Sequence, residues 1–184
     1  TDDKVILIDC GFVKRSWLKR WHIRHYLSPT DALARLQIER HQVSDIIITH
    51  HHWDHAEGLE LFDQATIWIS KAALAATRRY AKRNRLPLLR RLNRAHRAKR
   101  IRLLKGIQRI LPGIVTVRQG THAPGFAFAV AHLNEGLLVF ASDVGALYDN
   151  FTQLQASGQS RNPRRDRDVL WLMRTLVEND LQRI

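Results

Sequence analysis

A β-branched apolar run, Asp45-Ile46-Ile47-Ile48-Thr49, leads without a break into His50-His51-His52-Trp53-Asp54-His55. The run reads as a buried strand, so the six residues after it must lie at the end of a sheet. In extended backbone, side chains two apart point the same way, and His50 and His52 can therefore converge on one cation. Asp54 and His55 follow once the chain turns and can reach a second. Imidazole and carboxylate suit zinc, iron, manganese or cobalt without any thiolate. The alternative is a polar loop rich in histidine; the strand end and a carboxylate at ligand spacing argue against it.

The rest of the chain alternates strands and helices. Val5-Ile6-Leu7-Ile8, ended by Asp9-Cys10-Gly11, reads as another buried strand. Ser28-Pro29-Thr30-Asp31 has the form of a helix start, with Ser28 as N-cap and Pro29 at the first helical position. A short helix is expected over 56–62, a strand over 65–70, and helices over 71–84 and 88–108 split near Pro87. Strands are expected over 114–117, 126–132 and 137–141, and a long helix over 165–179. The pattern is α/β.

With 184 residues, 45% of them hydrophobic, the chain suits one domain with a substantial core. No apolar run approaches the ~18 residues that a membrane span needs. One cysteine excludes an intrachain disulfide framework and fits a reducing compartment, so a cytoplasmic location is the expectation. The net charge of +13 is concentrated. Residues 64–134 hold 16 Lys and Arg and no Asp or Glu, whereas the other 14 basic residues face 17 acidic ones.

The order of motifs resembles the metallo-β-lactamase superfamily. Its His-x-His-x-Asp-His signature matches His50, His52, Asp54 and His55, preceded by Thr49. Ile6 to Gly11 resembles the family's strand with its Asp-x-Gly turn, His122-Ala123-Pro124-Gly125 its His-Thr-Pro-Gly motif, and Ala141-Ser142-Asp143 the strand end with the bridging aspartate. The resemblance implies an αββα sandwich, with mixed sheets flanked by helices, over 1–184. A basic helical insertion would lie at about 71–109. It further implies two divalent metal ions, zinc first and iron, manganese or cobalt as alternatives. His50, His52 and His122 would hold one, Asp54 and His55 the other, with Asp143 between them. A hydroxide shared by the ions would attack a carbonyl, and Asp54 would orient the water and shuttle its proton.

Some positions depart from the family pattern. Glu57-Gly58 stands where the family has Gly-Gly, and no histidine follows His132 to serve as the second ion's last ligand. Leu181-Gln182-Arg183-Ile184 looks like the strand before that ligand, so the chain is expected to be a fragment, incomplete at both ends. Within the superfamily the sequence is most similar to N-acyl homoserine lactonases, which makes a small-molecule lactone or ester the expected substrate. The tyrosine that positions the lactone carbonyl in those enzymes would fall at Ala146, with Tyr148 nearby.

The basic segment has three readings: a solvated helical face over a core stripe, a nucleic-acid surface, or a lid lining an acyl pocket. A nuclease or RNA-binding protein of the same fold is accordingly the rival to the lactone or ester hydrolase. Tyr80, the one aromatic residue over 71–109, offers little for base stacking.

Overall fold

In the computed structural model, residues 4–158 and 160–181 are described, and the chain divides into two compact units. The first comprises residues 1–69 and 74–103, the second residues 70–73 and 104–184.

The first unit is built on a sheet of order β1-β2-β3-β4: Val5–Ile8, Val43–Ile48, Thr66–Ser70 and Ile101–Leu104. β1 and β3 both pair parallel to β2. As the central strand, β2 is covered on both faces: Val43, Ile46, Ile47 and Ile48 are each no more than 1% exposed. This is why it reads as a continuous apolar run rather than an alternating one. Each such isoleucine contributes roughly 1.5–3 kcal/mol of burial. The buried carboxylate within β2, Asp45, accepts a hydrogen bond from Trp68 Nε1 at 2.8 Å and pairs with Lys4 Nζ at 3.4 Å.

Around this sheet lie α1 (Ser16–Arg20), α2 (Pro29–Arg35), α3 (Trp53–Ala56), α4 (Lys71–Arg83, from Leu74 onward in this unit) and α5 (Leu88–Arg97). Ser28 caps α2 as the sequence predicts, its side chain accepting from the Asp31 N–H. α5 buries Leu88, Leu92 and Ala95 together with Arg91. Arg91 Nε donates to the Phe62 carbonyl at 2.7 Å, and its Nη2 donates to the carbonyls of Phe62 and Ala65. Burial pulls this guanidinium down to about 10. Arg91 therefore fastens the turn that leads into β3, a long-range role hidden within a run of similar arginines.

The expected helix over 88–108 is corrected here. It ends at Arg97, and β4 and β5 (Ile107–Leu111) occupy the remainder. Leucine, arginine and lysine favour helix, but Lys99 adopts φ 53 and Gly106 φ 43, which break the helical path. The Arg100 carbonyl instead accepts from the Ile67 N–H at 2.8 Å. The basic segment is thus only partly helical.

The second unit carries the antiparallel sheet β5-β6-β7-β8, with β6 at Ile114–Arg118, β7 at Ala127–Leu133 and β8 at Gly136–Phe140. α6 (Tyr148–Thr152) and α7 (Pro163–Leu181) complete it. Phe126, Phe128 and Val130 pack against Val144, Val169, Leu170 and Met173 in its core. Leu181 belongs to α7 rather than to a strand; 182–184, the rest of the expected strand, lie outside the described residues. Among the described residues no helix is long and apolar enough to cross a membrane.

Candidate metal centre

Four of the six expected ligands sit on one loop of the first unit. His50 is separated from the end of β2 by Thr49 and is fully buried, and His52 lies just before α3, which carries Asp54 and His55. The loop is braced from the end of β1. Asp9 Oδ1 accepts the Thr49 N–H at 2.9 Å, while Oδ2 accepts the Thr49 hydroxyl at 2.8 Å and lies 2.7 Å from His55 Nδ1. Asp9 itself adopts φ 58, a left-handed conformation that Asp tolerates better than most residues.

These contacts fix tautomers. The Thr49 hydroxyl gives its hydrogen to Asp9, so toward His50 Nδ1, 3.0 Å away, it can act only as acceptor. His50 then carries its proton on Nδ1 and presents a lone pair on Nε2, 2.9 Å from His52 Nδ1. By the same logic His55 donates Nδ1–H to Asp9, and its Nε2 lone pair lies 3.8 Å from Asp54 Oδ2. His50 with His52, and His55 with Asp54, each bring together donor atoms of the kind a divalent cation takes, and the hydrogen bonds behind His50 and His55 orient those rings. The residues present fit the metal that the motif implies.

Sequence reasoning placed Asp9 in a turn and missed its bracing role. The signal was available, an acid at a strand end before glycine, but its partners lie some forty residues away.

The other two expected ligands form a pair in the second unit. His122 is 3% exposed in the loop between β6 and β7, and its Nε2 lies 3.4 Å from Asp143 Oδ2. Asp143 occupies a single 3-10 turn, Ser142–Val144, which Ala141 separates from β8. The His122 loop is closed by the N–H groups of Gln119 and Gly120, both donating to the Phe126 carbonyl. Gly125, at φ +72, is forced: a Cβ there would stand 2.1 Å from Ser70 Oγ.

The departure at Glu57-Gly58 costs no strain. Glu57 is ordinary helical backbone at φ −67, and its carboxylate accepts from Trp17 Nε1 at 2.9 Å. Gly58 is the position that cannot change, because an added Cβ would lie 1.9 Å from the Cys10 carbonyl oxygen. Cys10 is buried, and burial pushes its thiol well up, so it is the inert small residue expected and not a nucleophile.

Aromatic rings surround the loop. Trp53 stacks on Trp17 at 4.5 Å and meets Phe12 edge-on at 4.7 Å, and Phe12 tilts against Tyr26 at 4.7 Å. Near them a largely apolar cavity of about 630 Å³ runs past Phe12, Ile23, Tyr26 and Leu33 to Asp54. Tyr148 is 89% exposed on α6.

The model of the metallo-beta-lactamase superfamily matches residues 1–151. The chain belongs to that superfamily. Its two four-stranded sheets and helices are those of the metallo-β-lactamase fold. Among solved structures, an N-acyl homoserine lactone hydrolase holding N-hexanoyl-L-homoserine at its metal centre is similar with a TM-score of 0.72 at 16% identity. That likeness covers 98% of this chain and 75% of the hydrolase. A point mutant of AiiA from B. thuringiensis, with N-decanoyl-L-homoserine bound at its active site, gives 0.72 at 17% identity over 98% and 75%. A probable metal-dependent hydrolase from Staphylococcus aureus gives 0.72 at 16% over 92% and 65%. No curated protein sequence matches this one.

Proposed function

We propose that this superfamily member is a metal-dependent hydrolase of lactones or esters, with an N-acyl homoserine lactone as its model substrate. The observation that carries the reading is the bracing of His50 and His55 through Thr49 and Asp9, which sets both Nε2 lone pairs for a metal. His50, His52 and His122 are assigned to one divalent ion, Asp54 and His55 to the other, and Asp143 to both; zinc is the first choice. When bound, such ions polarise a carbonyl and make water nucleophilic near neutral pH. Asp54, with 43% of its side chain exposed, can accept a proton from water at Oδ2 and return it to the leaving oxygen. The cavity beside Asp54 offers apolar walls to an acyl chain.

The test is acid release from N-hexanoyl homoserine lactone by the zinc-loaded chain. Turnover should vanish with chelator, and Asp54→Asn should lower kcat by about 10²- to 10⁴-fold. A metal-loaded chain that hydrolyses neither this lactone nor an aryl ester overturns the proposal. Labelled RNA assayed in parallel addresses the rival nuclease or RNA-binding protein.

A further inference from the structure

The basic segment is not uniform in what it does with its charges. Arg91 is spent on the carbonyls of Phe62 and Ala65, Arg94 on Asp63 at 2.6 Å, and Arg100 on Gln64 Oε1 at 3.0 Å. Arg79 and Arg83 differ. They lie one helical turn apart on α4, both exposed, and among the described residues neither is held by a carboxylate. Like charges at this spacing repel, and the sequence from 64 to 134 contains no acid.

Both arginines line an open cleft of about 680 Å³, together with His51, Ala76, Tyr80 and Asn84. Every polar residue in that lining can donate a hydrogen bond, and none is acidic. The Asn84 amide already donates to the Tyr80 carbonyl at 2.9 Å, which secures that wall. Burial, aided by the negative charge of Glu57, pushes the Tyr80 phenol up to about 12, so it stays a neutral hydroxyl. The His51 ring lies 4.9 Å from the His52 ring, which places the cleft next to the metal motif.

We propose that this cleft, lined by Arg79, Arg83 and His51, binds the carboxylate or phosphate of a small-molecule substrate, so that the hydrolase acts on anionic lactones or esters. The guanidinium forks match the oxygens of either group in bidentate fashion. The substrate class that satisfies both hollows of the first unit carries an apolar acyl part for the cavity at Asp54 and an anionic group for the cleft at His51. This inference rests on the hydrolase reading for turnover, though not for binding.

Two measurements on the full chain test it. In the first, the metal-loaded protein hydrolyses a neutral aryl ester and the same ester bearing a carboxylate or a phosphate. The anionic esters should be favoured in kcat/KM by roughly 10- to 100-fold, the worth of one or two charge-assisted hydrogen bonds. The double substitution R79A/R83A should erase that preference through KM, with kcat on the neutral ester unchanged, while R79K/R83K should restore part of it. Carboxylate against phosphate in the paired esters identifies which anion the site prefers. Equal rates on neutral and anionic esters, or a preference that survives R79A/R83A, overturn the inference.

In the second measurement, inorganic phosphate and acetate are titrated into metal-free protein and observed by NMR. Saturable shifts that disappear in R79A/R83A support the cleft even if no ester is turned over, an outcome that would sink only the hydrolase reading. Absence of saturable binding by either ion overturns the anion site. So does displacement of phosphate by a short RNA at far lower concentration with a steep salt dependence, which would make the surface a nucleic-acid interface.

Discussion

The two loops that carry the expected ligands are held by different physics. In the first unit, the 50–55 loop is governed by hydrogen bonds that converge on one carboxylate, Asp9, with Gly58 allowing the backbone beneath it to close. In the second unit, His122 and Asp143 come from segments some twenty residues apart, and the His122 loop is shaped by fit. Gly125 presses against Ser70, Ala72 and Ala73, and Thr121 and Ala123 are buried. Polar bracing sets which ring nitrogen is offered to a cation, whereas close packing sets only where a residue sits. The first loop should therefore respond to changes of charge and the second to changes of volume.

The largest expected effect tests the floor of the first loop. Gly58→Ala must push backbone against backbone at Cys10, with no flexible side chain to yield, and should destabilise the protein by about 3 kcal/mol. Urea denaturation measures it, and an unchanged midpoint would show that the close approach is not real. Gly125→Ala combines an added methyl group with φ +72 and should cost about 2 kcal/mol. Ser70 can partly yield by giving up its bond to the Ala73 N–H, so the penalty should be smaller than at Gly58; the reverse order would break the comparison.

Asp9→Asn sharpens the contrast. It preserves volume but replaces one acceptor oxygen with a donor amide. Zinc affinity, read by competition with a chelating dye, should fall about 10- to 100-fold, with a stability loss of only about 1 kcal/mol. Equal affinity in the variant would remove Asp9 from the ligand-orienting role.

The smallest effect is in pH dependence. Burial raises the Glu60 carboxyl above its ordinary value, while a backbone contact with Leu88 pulls it back. The sign follows: ionisation is disfavoured in the folded state, so this group's contribution is fully present below the ordinary carboxylate range and is lost as pH rises through the raised value. Glu60→Gln should flatten the part of the stability profile that begins at the ordinary carboxylate range and runs upward in pH. A profile identical to that of the parent chain would show that Glu60 is solvated.

Local features were legible in the residues. The β2 run, the Ser28 cap and the order of the ligand motifs can each be read from a few consecutive positions. Features that depend on remote partners were hidden. Residues 101–111 have helical composition and became strands because Lys99 and Gly106 turn the chain and β3 receives Arg100. Arg91 looks like its neighbours until Phe62 and Ala65 are brought to it. The candidate ligands were readable in the motif, whereas the hydrogen bonds that orient the His50 and His55 rings required Asp9 to arrive from β1.

Because a single acid holds both Thr49 and His55, and Thr49 in turn holds His50, these positions form one inheritable unit. Removing Thr49 and removing His55 should not cost twice over, since either change already slackens the anchor on which the other depends. Drift in such a chain would be expected to spare all four residues or abandon them together.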